Sequence, residues 1–452
     1  MSGERLSPEE LLALVRDGEL TAFVERAAEL EPADLADVLA EADYDERVEI
    51  VKLLPPELSA QALSELPEDE HPSETLAALA PAEAAEIVDV LPDDDAADLL
   101  GELAEDAQRR ILAELEDPEQ REDVTELLQY DPESAGGLMT ANVMTVPESE
   151  TVGGALDIIR RSAEELEDFT ETYVVDATGR LTGVLSFRDL VVNPPATPVA
   201  GVMEDPDVTV RPEVDQEDVA RLMARYNVSA IPVVDEGGAL VGLITFDDVT
   251  DVVEAETTED LLRFSGVSAD EELSADWHSA VKSRLRWLLV NLATAAAGAS
   301  MVALFQRNID RILALAIWMP IVGGLGGNTG TQALAVTIRR LSLGLISPKE
   351  FREVVGKEML VGLINGLAIG ALAGLAATGF AALTDGPPML GMVVFLALAL
   401  NLLVAGTMGA FVPLLLERLG IDPAVASSVF VTAFTDMCGF ALLLGLAGWV
   451  LL

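Results

Sequence analysis

The sequence predicts a multidomain chain: an all-α superhelical N-domain, a duplicated α/β region, and an α-helical transmembrane bundle of five spans. Three observations carry that prediction. First, charge is divided very unevenly. Of 78 acidic and 27 basic residues, only 8 acidic and 10 basic lie from Arg284 onward, so residues 1–283 carry a net −53 and the rest a net +2. Second, apolar runs of membrane length crowd the second half. Third, part of the acidic half repeats itself at one fixed register, which sets Tyr173 onto Pro232.

The N-terminal region earns its helical reading from prolines. "PADLADVL" (from Pro32), "PELSAQAL" (from Pro56) and "PAEAAEIV" (from Pro81) recur at nearly equal intervals. Proline is favoured in the first helical turn, where its missing N–H has no intrahelical acceptor to lose. That period suits stacked helical hairpins. So polyanionic a half excludes nucleic-acid backbones as a partner. Its bulk charge reads as a halophile's surface, where excess carboxylate keeps a protein soluble in brine. Cys438 is the only cysteine, which excludes an intramolecular disulfide and a thiolate metal cluster. No basic-then-apolar signal opens the chain, so residues 1–283 are expected in the cytoplasm.

The repeat aligns "YVVDATGRLTGVLSFRDL" (Tyr173–Leu190) with "PVVDEGGALVGLITFDDV" (Pro232–Val249), and pairs Val143–Met144 with Val202–Met203. Each unit reads as strand, Asp/Gly turn, strand, then a helix opened by Ser/Thr-x-x-Asp. Ser186 with Asp189 and Thr245 with Asp248 are therefore helix caps, or caps that also hold a ligand.

Five spans are expected at Trp287–Phe305, Ile312–Val336, Met359–Thr384, Met389–Leu416 and Pro423–Leu452, each meeting the length of about 20 residues that a bilayer core requires. Lys282, Arg284 and Arg286 precede the first, and Arg339, Arg340, Lys349, Arg352 and Lys357 fill the second-to-third loop. The positive-inside rule then puts the N-terminus in the cytoplasm and the C-terminus outside, with Arg307 and Arg311 dissenting mildly. Two polar features interrupt the apolar half. "GGLGGNTGTQAL" (Gly323–Leu334) follows Pro320, and either breaks the second span to present backbone to a cavity or packs helices closely through small residues. Asp436, in "FVTAFTDMCGF", is a carboxylate deep in the last span. It is a structural carboxyl, or a functional one by the cost of placing it there.

The tandem unit resembles a pair of CBS domains. With the helical repeat, "ESAGGLMT" (Glu133–Thr140) and five spans carrying "GGNTGTQ", the whole chain resembles the MgtE family of magnesium channels. The resemblance implies domains at 1–132 (helical), 133–196 and 197–260 (CBS), 261–283 (connecting, gating) and 284–452 (pore). It implies a homodimer in the cytoplasmic membrane, among lipid, that conducts divalent cations and performs no enzymatic chemistry. The match of "DMCG" places Asp436 in the pore, with an Asn-Thr-Gly turn, Asn328–Gly330, beside it. Mg²⁺ holds its waters reluctantly and favours oxygen ligands, which suits such a lining.

The family's sensor maps onto Asp94 and Asp98, one helical turn apart, and onto Asp248, Asp251, Glu256, Glu259 and Asp260. Cytosolic Mg²⁺ bound there is expected to close the pore through the segment Leu261–Val281. Asn227 stands where the family often has an acidic residue, which implies a weakened subsite. A nucleotide such as ATP in the CBS cleft would use Ser186, Asp189, Thr245 and Asp248. Two other readings remain open from residues alone. One is a channel for Mn²⁺ or Co²⁺, since oxygen ligands discriminate poorly among these ions. The other is a membrane-anchored nucleotide sensor without transport.

Overall fold

The computed structural model describes residues 7–67, 70–162, 171–267, 277–346, 350–423 and 428–452. They form two compact units, Met1–Glu254 and Ala255–Leu452.

The first unit opens with ten helices: α1 Pro8–Arg16, α2 Leu20–Ala27, α3 Pro32–Ala40, α4 Tyr44–Leu53, α5 Pro56–Ser64, α6 Pro72–Ala77, α7 Pro81–Val88, α8 Asp93–Gly101, α9 Glu105–Leu112 and α10 Pro118–Leu127. Pro32, Pro56 and Pro81 each open a helix, as the repeat predicts, and so do Pro8, Pro72 and Pro118. Two layers result. α1, α3, α5, α7 and α9 stack in turn on one side, and α4, α6, α8 and α10 on the other. Arg47, buried between repeats, donates to the Leu39 carbonyl at 2.9 Å and pairs with Glu70 at 2.6 Å. Leu35, Leu39, Leu63, Leu76 and Leu100 fill the space between the layers.

After α11 (Ala135–Leu138) comes the α/β region: β1 Thr145–Pro147, α12 Val152–Ser162, β2 Glu171–Val175, β3 Leu181–Ser186, α13 Phe187–Val192, α14 Gln216–Tyr226, β4 Ala230–Val234 and β5 Leu240–Thr245. β2 pairs antiparallel with β3 and β4 with β5. The registers repeat as the alignment predicts: Glu171 faces Ser186 as Ala230 faces Thr245, and each ladder shifts before its last pair. The two repeats also grip each other reciprocally, Leu181 N–H to Gly238 O at 3.1 Å and Leu240 N–H to Gly179 O at 3.0 Å.

The lead-in segments do not keep that offset. Thr140 bridges Leu243, and its counterpart bridging Val184 is Glu204. Met139 covers Gly242 and Met203 covers Gly183 in the same way. The counterpart of Met203 is therefore Met139, and not Met144. Further on, Val146 of β1 pairs with Val174 as Val210 pairs with Val233. The chain between Val146 and Val174 is longer than that between Val210 and Val233, so one register cannot serve both halves of the repeat.

α15, Phe246–Phe264, runs from the first unit into the second. The second unit then holds α16 Trp277–Leu304, the short α17 Gln306–Arg311, α18 Ala314–Ser342, α19 Phe351–Leu383, α20 Leu390–Arg418 and α21 Ser428–Val450. The five long helices fall where five spans are expected. By length and composition four of them can cross a membrane: α16 from Ala280, α19, α20 and α21. α18 has the length, but its glycine-rich and polar middle keeps it out of that set. Lys349, residues 268–276 of the expected gating segment, and the start of the expected fifth span at 424–427 lie outside the described residues.

α19 and α20 pack along their whole length through glycine. Gly362, Gly366, Gly370 and Gly374 recur every fourth residue and are buried against the α20 backbone. A Cβ on Gly366 would stand 2.7 Å from the Ala399 carbonyl and 3.0 Å from its Cα, neither of which can swing away. Gly366→Ala should therefore cost about 1–3 kcal/mol by overpacking and lower the melting temperature in detergent. Gly379→Ala, on the same helix with nothing within 4 Å, should be neutral or stabilising by up to about 1 kcal/mol, because alanine is the better helix former. Equal melting temperatures for the two variants would show that the glycine spacing is incidental.

Candidate ion site

α18 does not break. It is one helix from Ala314 to Ser342, with Pro320 inside it, so no Asn-Thr-Gly turn forms and no unwound backbone faces a cavity. The glycines pack instead. Gly323, Gly326, Gly327 and Gly330 stand at i, i+3, i+4 and i+7 and are all buried, whereas Gly324 is exposed with nothing near it. The i, i+3, i+4, i+7 spacing is one face of a helix. A Cβ on Gly323 would stand 2.7 Å from Asp436 Oδ1, on Gly327 3.0 Å from Thr432, and on Gly330 2.6 Å from Val431. The absence of side chains is what lets α21 lie against α18 at the level of Asp436.

Asp436 is eight residues into α21, about 12 Å from its start at 1.5 Å per residue. It is half-buried and lines a cavity of 190 Å³ with Ser428 and Thr432 of the same helix and Asn291 and Thr294 of α16. Asn328 is elsewhere. It is exposed, on the α18 face that carries Gly324, and does not line that cavity.

Asn401, mid-way along α20, is a residue for which sequence reasoning raised no expectation. It is fully buried against Gly326 and Gly439, and its amide donates to the Val322 carbonyl at 3.0 Å. Among the described residues no protein donor reaches its Oδ1. A lone amide in "LALALNLLVAG" was the available signal, because lipid cannot satisfy it.

The acidic residues of α15 lie on one helix, as expected, and its end packs against the other helices of the second unit. Arg263 pairs with Glu259 and with Asp422, the latter in the short connection between α20 and α21. Phe264 packs with Leu334, Ile338 and Val431. Burial, then Asp422 and Glu256, hold the Asp260 carboxyl above its usual range, against the opposing effect of Arg263 and Arg339. Asp422 escapes sequence reasoning because four of the long helices lie between it and Asp260.

In the first unit the two α8 carboxylates part company: Asp94 is buried and Asp98 exposed, so they do not present one exposed acidic face. Asp248 is occupied locally, holding Thr245 through the hydroxyl at 2.7 Å and the backbone N–H at 3.2 Å. Among the described residues no three Asp, Glu, His or Cys side chains converge to hold a metal ion. Asn227 has its own local reason. It caps α14 in the left-handed region at φ 54°, a conformation that asparagine tolerates better than most residues.

The first Ser/Thr-x-x-Asp element caps its helix, and at the second the Thr245 N–H donates to Asp248 as in the return half of such a cap. Ser186 Oγ accepts from the Asp189 N–H at 3.2 Å, and the Ser186 N–H donates back to Asp189 Oδ2 at 3.2 Å. On β2 the Tyr173 phenol, on the same face as Ser186, and the Thr172 hydroxyl, on the opposite face, are buried with no protein partner among the described residues. Burial also holds the Tyr173 phenol above its ordinary pKa.

Residues 30–133 match the MgtE intracellular N domain, 135–193 and 199–255 the CBS domain, and 319–446 the MgtE divalent cation transporter. The magnesium transporter MgtE of Thermus thermophilus is 38% identical over 96% of this chain and 96% of its own. The chain belongs to the MgtE family of magnesium transporters. The Bacillus subtilis MgtE is 32% identical over 97% of this chain and 96% of its own. The crystal structure of the cytosolic domain of the Mg²⁺ channel MgtE in complex with ATP aligns with a TM-score of 0.51 and 41% identity, covering 54% of this chain and 99% of that one. The soluble part of a magnesium transporter aligns at 0.50 and 29%, covering 55% and 98%. As an MgtE protein the chain is a multi-pass membrane transporter with cytosolic N-terminal domains, and not an enzyme.

Proposed function

We propose that this MgtE protein is a Mg²⁺-selective channel of the cytoplasmic membrane that cytosolic Mg²⁺ closes. The observation that carries the reading is Asp436, a carboxylate about 12 Å into the last span that opens on a polar-lined cavity. A membrane-buried carboxylate beside water-sized space marks an ion path by default. Neutral oxygens with a single carboxylate suit an ion that keeps most of its waters. The chain acts as a homodimer. Asn328, central in α18 yet exposed on a single protomer, is an amide that lipid leaves unsatisfied and a second copy would cover. The N-terminus is cytoplasmic and the C-terminus outside, in keeping with the α15 end meeting the C-terminal ends of α18 and α20. Closure depends on Asp94, Asp98, Asp248 and Asp251 in the first unit and on Glu256, Glu259 and Asp260 in the second. Asp422 joins that second group. Flux of Mg²⁺, Mn²⁺ and Co²⁺ into liposomes carrying the purified protein tests this. Equal flux for all three removes the selectivity, and no flux leaves a membrane-anchored sensor.

The CBS pair also binds an adenine nucleotide. Tyr173, whose buried phenol lies on the same face of the ladder as Ser186, favours a ligand at the first repeat over capping alone. Calorimetric titration of the full chain with ATP at fixed salt should show binding. Asp189→Asn, which keeps an acceptor for the cap, should weaken it roughly tenfold, about 1.4 kcal/mol. Asp248→Asn should weaken it less. Absence of heat in the native protein would leave capping as the whole role of both elements.

A further inference from the structure

The cavity beside Asp436 has a second wall. α16 contributes Asn291 and Thr294 to it, facing Ser428, Thr432 and Asp436 of α21. Asn291 stands eleven residues into the span Ala280–Leu304, about 16 Å from its start, close to the middle of the bilayer. Asn291 is exposed on the single chain, as are its apolar neighbours Leu288, Leu289 and Leu292. An amide carries two donors and an acceptor, and at that depth lipid offers none of them a partner. Thr294 donates its hydroxyl to the Asn291 carbonyl at 2.9 Å, and its oxygen remains an acceptor. At about 30 Å³ per water, 190 Å³ is room for several.

We propose that Asn291 and Thr294 of α16 form the second wall of the cation path, holding the inner waters of a divalent ion whose charge Asp436 balances. The inference rests on the reading of Asp436 as the ion site. A strongly hydrated cation presents water protons outward, and acceptors on both sides of the cavity hold it without stripping it. A leucine at Asn291 would leave those waters with one wall only.

The full-length protein in liposomes tests this. Asn291→Leu should lower Mg²⁺ flux at least tenfold, and Asn291→Gln should restore it to within about threefold of the native level. A membrane-impermeant cationic methanethiosulfonate should label Asn291→Cys, more slowly when Mg²⁺ is present, and should not label Leu292→Cys. Peptide mass spectrometry separates both positions from Cys438. Asp436→Asn is measured alongside. If it abolishes flux while Asn291→Leu conducts within twofold of native, or if Asn291→Cys labels no faster than Leu292→Cys, the α16 wall is wrong and Asp436 stands. If Asp436→Asn conducts normally, both readings fall together.

Discussion

Asp436→Asn should reduce Mg²⁺ flux at least a hundredfold while leaving the protein folded. The variant keeps the shape of the side chain, which matters because Asp436 Oδ1 fits against the bare backbone of Gly323. What it removes is charge. In a membrane interior of low dielectric, a single negative charge is the largest available attraction for a dication, far larger than the same charge in water. A hundredfold loss corresponds to about 2.7 kcal/mol, a modest demand on such a contact. Removing a carboxylate from that depth also removes a desolvation cost, so the melting temperature in detergent should hold or rise. Asp436→Glu is a sharper probe. Its extra methylene must find room beside Gly323 and Phe440, where a Cβ on Gly323 would already stand 3.1 Å from the Phe440 ring, so partial flux is expected. Native flux in Asp436→Asn would take the carboxylate out of the pore.

The sequence carried the architecture because its signals are local. Prolines at a near-constant spacing, β ladders repeated at one register and apolar runs of membrane length each report on one element or one repeat. Three features escape for physical reasons. "GGNTGTQ" invites a reading through turn chemistry, though the glycines of this stretch obey the helical i, i+3, i+4, i+7 spacing that marks a packed face. Glycine at a turn and glycine at a close helix contact look alike until the partner helix is known, and here the partners are Asp436, Thr432 and Val431. The Met203 alignment fails because a single offset cannot describe a repeat with an unequal inner segment. Asn291, Asn401 and Asp422 meet their neighbours only in the packed bundle. The first two are still visible as lone amides in apolar runs.

Neutralising α15, by Asp251→Asn, Glu256→Gln and Asp260→Asn together, should abolish Mg²⁺-dependent closure. Asp260 shows why. Its carboxyl is held above the usual range by burial and by Asp422 and Glu256, so the packed form of this region binds a proton more tightly than the separated form does. Packing is therefore favoured at low pH and weakens as pH rises from the ordinary aspartate value through the raised one. Once the proton is lost the repulsion remains. On the proposed reading, Mg²⁺ takes over the proton's role in offsetting that repulsion, and does so only while the region is packed. The shift is limited by the difference in Mg²⁺ affinity between the two states. Tenfold tighter binding at each of about four sites gives roughly 5.5 kcal/mol, enough to invert a 1:99 equilibrium. At 1 M salt exposed charge is screened within about 3 Å, so at that ionic strength inner-sphere binding rather than diffuse attraction has to supply that difference. Limited proteolysis between Leu261 and Val281, with Mg²⁺ varied at constant ionic strength, reads the two states. The native protein should be protected as Mg²⁺ rises. The triple variant should be cut at a rate that Mg²⁺ does not change, and its flux should stay insensitive to Mg²⁺ on the cytosolic side. If the native cleavage rate ignores Mg²⁺, the carboxylates of α15 serve solubility alone, and closure has to be sought elsewhere in the chain.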